Sequence, residues 1–435
     1  MKKEYVTVIG AGLAGVEASY QLAKRGIPVK LYEMKKNKKS PAHQIDDFAE
    51  LVCSNSFRSN DIHNAVGLLK EELRRLDSII LKAADYSKVP AGSALAVDRI
   101  LFSSYITNYI RNHPLIEVID EEVISLPEGP CIIATGPLTS KPLFDELKEL
   151  IGESTLYFYD AAAPIIEFDS INMDVAYYKS RYDKGEATYI NCPMTKEEYD
   201  KWYKEVINAK CAETKEFELK VFEGCMPFEE MAKRGEQTLL YGPMKPVGLE
   251  KNDGQRPYAV VQLRQDNVAA SLYNIVGFQT HLTFGEQQRI IRLIPGLENA
   301  KIVRYGVMHL NSFVNAPKVI NRYYQMKDYP NLFIAGQLSG VEGYIESAGS
   351  GLVAGINMAR FFNHQSLLDF TQETALGSQA YYLENALPDD FQPMNINFGL
   401  FSPLIGRYNK RDRKQFIVKR SLDNIQKMLE EHQFD

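Results

Sequence analysis

Three glycines near the N-terminus constrain this 435-residue chain more than any other feature. Gly10, Gly12 and Gly15 stand where one element hands over to the next. Residues 5–9 (Tyr-Val-Thr-Val-Ile) are β-branched and apolar, the composition of a strand covered on both faces of a parallel sheet. Residues 16–25 read as a helix, and residues 27–32 as a second strand ending at Glu33. The intervening Gly10-Ala11-Gly12-Leu13-Ala14-Gly15 is therefore a G-x-G-x-x-G turn with its strand–helix–strand context intact, the dinucleotide-binding fingerprint. Gly10 permits the tight turn, Gly12 lets the backbone approach a pyrophosphate, and Gly15 lets helix and strand pack closely. The anion then rests on helix N-terminal amides. Glu33, 18 residues beyond Gly15, stands where a carboxylate accepts from a ribose 2′-hydroxyl, which favours FAD or NAD over a 2′-phosphorylated nucleotide.

Two later stretches read as pieces of the same sheet. Residues 130–137 (Pro-Cys-Ile-Ile-Ala-Thr-Gly-Pro) are an apolar strand ending in a small-residue turn. Residues 331–337 (Asn-Leu-Phe-Ile-Ala-Gly-Gln) are another, followed by Gly340, Gly343, Gly349 and Gly351 and a helix from about 352 to 362. A strand, a Gly-rich turn and a helix so far from the first fingerprint point to a second approach to one cofactor. That layout suits a large flavoprotein, so the cofactor expected is FAD. Residues 150–300 differ in texture: they are rich in Tyr, Lys and Glu and carry their own strand-like runs at 260–264 and 274–279. The fold class expected is α/β: a discontinuous Rossmann-like FAD-binding domain (1–150 and 300–400) with an inserted α/β domain (151–299). A basic C-terminal helix (401–435) closes the chain.

Net charge is −6, so composition attracts no nucleic acid, and any RNA contact must use a local basic patch. The candidate is the run Arg407, Lys410, Arg411, Arg413, Lys414, Lys419 and Arg420, with Tyr408 and Phe416 interleaved and Asp412 opposing. No apolar run approaches the roughly 20 residues of a membrane span, and the N-terminus lacks a signal-peptide pattern. Five cysteines, an odd number without paired spacing, point to free thiols in a reducing cytoplasm. Without a C-x-x-C pair or a His-rich cluster, no metal is expected.

Two cysteines differ from the rest. Cys53 lies in a polar, turn-prone stretch, Val52-Cys53-Ser54-Asn55-Ser56-Phe57-Arg58, and Cys225 in the Gly/Pro-bracketed Gly224-Cys225-Met226-Pro227, ahead of Lys233 and Arg234. Loops near basic residues favour thiolate. Cys131, inside an apolar strand, reads as a small core residue, and Cys192 and Cys211 read as structural.

Seven segments together resemble one family. They are residues 48–58 (Phe-Ala-Glu-Leu-Val-Cys-Ser-Asn-Ser-Phe-Arg), 134–140 (Ala-Thr-Gly-Pro-Leu-Thr-Ser), 222–227 (Phe-Glu-Gly-Cys-Met-Pro), 240–249 (Leu-Tyr-Gly-Pro-Met-Lys-Pro-Val-Gly-Leu), 260–267 (Val-Val-Gln-Leu-Arg-Gln-Asp-Asn), 304–309 (Arg-Tyr-Gly-Val-Met-His) and 340–348 (Gly-Val-Glu-Gly-Tyr-Ile-Glu-Ser-Ala). The likeness, from residue 1 to about 400, is to the folate- and FAD-dependent tRNA (uracil-5-)-methyltransferases. Ser93, the pair Ile100-Leu101 and Leu310 are local departures from its pattern.

The resemblance implies a mechanism. Uracil C5 is a poor nucleophile until something adds at C6, and a thiolate adds and leaves readily; Cys225 is implied as that nucleophile. Methylenetetrahydrofolate is implied to pass its carbon by way of reduced FAD to C5, with NAD(P)H restoring the flavin. Cys53, implied to lie close to the flavin, is the candidate base for the C5 proton or holder of the carbon in transit. The family places an imidazole against the folate pterin, and either His281 or His309 supplies it. Lys245 and Arg264 are candidates for folate glutamate or RNA phosphate, and Arg411 and Lys414 for tRNA phosphate. Gly336, Gln337, Tyr344, Glu346 and Ser347 are expected beside the cofactor. The competing readings are the same chemistry on ribosomal RNA, a flavin-dependent wobble-uridine enzyme, and a flavin-binding scaffold or NAD(P)H oxidase.

Overall fold

The computed structural model describes residues 4–152, 155–183, 186–212, 226–251, 254–406 and 408–432, with the backbone alone for 155–161, 308–310 and 410. A five-stranded parallel sheet organises the first lobe, in the order Leu332–Ile334, Cys131–Ile133, Val6–Ile9, Val29–Tyr32, Ile116–Ile119. Val6–Ile9 is central and wholly buried, and its Val8 stands between Leu31 and Ile132. The chain builds outward on one side through Val29–Tyr32 and on the other through Cys131–Ile133 and Leu332–Ile334. The order therefore reverses beside the first strand. Ligands of open parallel sheets sit in the crevice at the carboxyl ends of such a switch point, here at Gly10, Glu33, Ala134 and Gly336.

The helix after the first strand, Leu13–Lys24, is buried from Leu13 to Ala23, because a second long helix, Tyr344–Phe362, lies across it. Small residues let the two backbones touch: a Cβ on Gly351 would stand 2.2 Å from the Ala14 carbonyl oxygen, and one on Gly355 2.9 Å from Ala18 Cα. This explains why the second helix begins at Tyr344 rather than near 352. Its glycines suit a turn by propensity, but tertiary packing holds them inside a helix where any larger residue would separate the pair.

The second lobe is a six-stranded antiparallel sheet, ordered Tyr177–Tyr178, Ile190–Met194, Ala259–Gln265, Leu272–Ile275, Ile165–Glu167, Ile302–Arg304. The strand expected over 274–279 starts earlier and stops at Ile275, since Gly277 takes a left-handed φ of 77°. Its own core gathers Trp202, Tyr199, Phe228 and Phe278, with the Trp202 indole N–H donating to Ile290 O at 3.1 Å. The chain enters this lobe through Thr155–Ala161 and leaves beside it through Met308–Val314, two antiparallel strands in register from Thr155/Val314 to Ala161/Met308. The final helix, Arg413–His432, seats Ile417, Val418, Ile425 and Met428 on the first lobe's core. Among the described residues no helix is long and apolar enough to cross a membrane.

A candidate dinucleotide cleft and the loop beside it

At the switch point lies a cleft of about 1090 Å³, its open mouth included. Gly10, Gly12, Leu13, Ala14, Glu33, Gly336, Gln337, Tyr344 and Ser347 all line it, together with Thr135–Ser140. Gly10 adopts φ 95°, and a Cβ there would stand 2.6 Å from Ala134 O. Gly15 lines no part of the cleft: a Cβ on it would meet Gly10 O at 1.8 Å, so it sets the distance between turn and helix. Gly12 has nothing within 4 Å of a would-be Cβ, and as N-cap it offers no side chain to the first-turn amides. Open space and unsatisfied N–H groups at a helix start make an anion seat. Tyr344–Phe362 likewise starts at the cleft, with glycine as its N-cap.

Glu33, 9% exposed, accepts from Ala11 N–H at 2.7 Å and Lys35 N–H at 2.9 Å. One backbone amide of the glycine loop thus positions the carboxylate. Each oxygen keeps a lone pair for a hydroxyl donor, a place where a like-charged 2′-phosphate would be repelled. The residues present fit a non-phosphorylated adenine dinucleotide.

A loop carrying Cys53 borders this cleft, and Val52 lines it. Every kind of polar group on the loop is held. The Tyr344 hydroxyl accepts from Cys53 N–H (2.7 Å) and Ser54 N–H (3.1 Å). Arg99 donates to the carbonyls of Leu51 and Cys53, and Arg304 to that of Val52 at 2.6 Å. Arg99 is itself fixed by Asp266 at 3.1 Å, both side chains nearly buried. Arg264 donates to Ser54 Oγ (2.7 Å) and Asn55 Oδ1 (3.0 Å), while Asn55 Nδ2 donates to Val97 O and Gln265 O. The Cys53 thiol is thus placed at the junction of the two lobes by donors from both. Burial pushes the Tyr344 phenol well above the usual tyrosine range.

The remaining expected site residues are scattered. Arg264 is 7% exposed and clamps the Cys53 loop, away from the surface. Glu346 turns from the cleft into the core, ion-paired with Arg58 and accepting from Ile396 N–H. Lys245 is half-buried in the second lobe, outside the cleft lining. His281 is buried there too, its Nδ1 2.8 Å from Glu229 Oε1. Burial opposes its charge, but the Cys211 and Glu229 side chains prevail and push its pKa up to about 10. His309 pairs with Asp160 across the two-stranded ribbon. Arg411 and Lys414 are exposed at the start of the final helix. Cys225 and Arg407 lie outside the described residues.

Arg99, Arg304, Ser54, Asn55 and Asp266 stand out only in the structure. All but Arg99 lie in the motif segments named above, and Arg99 directly follows Asp98. The fold supplies the pairing across 167 residues that turns Arg99 and Asp266 into one clamp.

The family model described as Glucose inhibited division protein A matches residues 5–366. The methylenetetrahydrofolate--tRNA-(uracil-5-)-methyltransferase TrmFO of Anoxybacillus flavithermus is 61% identical over 427 residues, covering 98% of this chain and 99% of that protein. The protein of the same name from Bacillus subtilis is 60% identical over 429 residues, with 98% and 99% covered. Among solved structures, Aquifex aeolicus GidA in its form I crystal superposes with a TM-score of 0.70 at 17% identity, covering 99% of this chain and 77% of that one. At that identity the likeness is one of fold.

Proposed function

Because the chain belongs to the family of the methylenetetrahydrofolate–tRNA-(uracil-5-)-methyltransferases, within the wider Glucose inhibited division protein A group, we propose that it methylates C5 of a T-loop uridine in tRNA. The carbon comes from methylenetetrahydrofolate and the reducing equivalents from NAD(P)H by way of FAD. One observation carries this reading: two glycine-capped helix starts, the Glu33 carboxylate and the clamped Cys53 loop converge on a single cleft.

Gly10, Gly12, Leu13, Ala14 and Glu33 would hold the adenosine and pyrophosphate, and Gly336, Gln337, Tyr344 and Ser347 the far end of the cofactor. Bound FAD supplies the reducing equivalents that bring the transferred carbon to the methyl level. The Tyr344 oxygen accepts two backbone N–H groups, so its own hydrogen remains to donate towards the cleft. The raised phenol pKa keeps that hydrogen in place across the working pH range.

The Cys225 thiolate adds to uracil C6, forming a C–S bond and moving the ring electrons to C5, which then takes the carbon. A base removes the C5 proton and the electrons return to expel the thiolate, so sulfur leaves as it arrived. Cys53 is that base in this reading, fixed by Tyr344, Arg99 and Arg264. The chain on either side of Cys225 is tied down: Ala212 N–H donates to His281 O at 2.8 Å and Phe228 N–H to Gln279 O at 2.8 Å.

The test is a tRNA carrying 5-fluorouridine, incubated with holoenzyme, NAD(P)H and methylenetetrahydrofolate. Fluorine cannot leave C5 as a cation, so a covalent protein–RNA adduct through Cys225 is expected. Cys225→Ala should give no adduct and no methylation while still oxidising NAD(P)H. Methylation retained by that variant removes Cys225 from the nucleophile's role.

A further inference from the structure

Outside the cleft, three side chains with metal-ligating atoms meet in the second lobe. Cys211 Sγ, His281 and Glu230 place their ligand atoms within 4.8 Å of one another. Cys211 bridges to Leu282, Glu230 lies on the helix Phe228–Lys233, and His281 lies on the segment between them. We propose that these three side chains bind a zinc-class divalent cation.

Three features of the geometry carry this. The donor set is thiol, imidazole and carboxylate, which suits a borderline-soft ion such as Zn²⁺ and leaves a fourth position for water. The imidazole lies between two carboxylates, with Nδ1 2.8 Å from Glu229 Oε1 and Nε2 3.6 Å from Glu230 Oε1, and its buried Nδ1 makes no hydrogen bond. A carboxylate behind the ligating histidine is the usual outer partner of such sites. Glu229 in turn is fully buried and fixed, accepting from Thr280 Oγ1 at 3.0 Å and from His281 N–H at 2.7 Å. Lys233 Nζ, 2.7 Å from Glu230 Oε1, competes for that carboxylate and must give way to the ion.

Ligand atoms around tetrahedral zinc stand about 3.3–3.8 Å apart, given bonds of roughly 2.0–2.3 Å. Binding would draw the present spacing in to that range, and Cys211 and Glu230 are the two partly exposed members. The ion would then tie Cys211 to Glu230, and hence hold together the two chain positions from which the stretch carrying Cys225 departs and to which it returns. The sequence hides this site, because its ligands are 19 and 51 residues apart.

The experiment is a Co²⁺ titration of the chelator-treated, FAD-loaded full chain, read in the red, where oxidised flavin does not absorb. Intense four-coordinate ligand-field bands are expected at one equivalent. Cys211→Ser and His281→Gln should abolish them, and Glu229→Gln should weaken affinity by about 10–100-fold. Lys233→Met, which removes the competing ammonium, should tighten it. Absence of bands in the parent chain overturns the proposal, as does their persistence in both Cys211→Ser and His281→Gln. Melting curves of the variants, recorded without metal, separate lost ligation from lost folding.

Discussion

Single positions decide how the cofactor cleft is shaped. Gly15 is the clearest: with a Cβ 1.8 Å from Gly10 O, Gly15→Ala must push the first helix off the glycine loop. The variant should purify colourless or lose its yellow FAD on dilution, measured by flavin absorbance after desalting. Tyr344→Phe removes the acceptor for two N–H groups while keeping the ring. Since a neutral hydrogen bond is worth roughly 0.5–1.5 kcal/mol, it should cost about 2 kcal/mol in denaturant unfolding and speed alkylation of Cys53 by freeing its loop. The fingerprint glycines were legible because backbone geometry restricts those positions to one residue type. Arg264 was not: a strand with alternating polarity says nothing of what its polar residues meet, and only the fold brings Ser54 and Asn55 under its guanidinium.

Between elements, buried carboxylates do the joining. Glu72, in the helix Ala65–Arg75, accepts from Ala375 N–H (2.6 Å) and Leu376 N–H (2.9 Å) at the start of the helix Ala375–Asn385, and from Ser421 Oγ on the final helix. Glu72→Ala strands three buried donors, and at about 1–3 kcal/mol for each unsatisfied group it should cost at least ~3 kcal/mol and loosen the final helix first, visible by hydrogen exchange. Burial pushes the Glu72 pKa up to about 7, from 4.5 when exposed. Between those values the folded state binds the extra proton, so the contribution is full below about 4.5 and lost as pH rises through 7. The stability advantage of the parent chain over Glu72→Gln should therefore shrink between pH 5 and pH 8, as followed by thermal melts. The nucleotide-sheet strands and their glycine turns were readable from composition, whereas these joints were not, since a carboxylate inside an amphipathic helix reads as solvent-facing until its partners are known.

At the scale of the whole molecule, an acidic chain with net charge −6 must bind a polyanion through a local surface. Arg411 and Lys414, both exposed at the start of the final helix, are the residues to test. Replacing each by Ala should reduce the salt slope of tRNA affinity by about one unit per lost phosphate contact; an unchanged slope assigns the pair to plain solvation. The sequence by itself determined the parallel nucleotide sheet, its glycine turn and the family, because these rest on short-range backbone constraints and on long collinear motifs. Only the tertiary structure decided that Tyr344, Arg99, Arg264 and Arg304 grip one loop from both lobes, and that Cys211, Glu230 and His281 share a corner. Such contacts join residues tens to hundreds of positions apart, and their energies depend on burial and distance, which exist only once the chain has closed on itself.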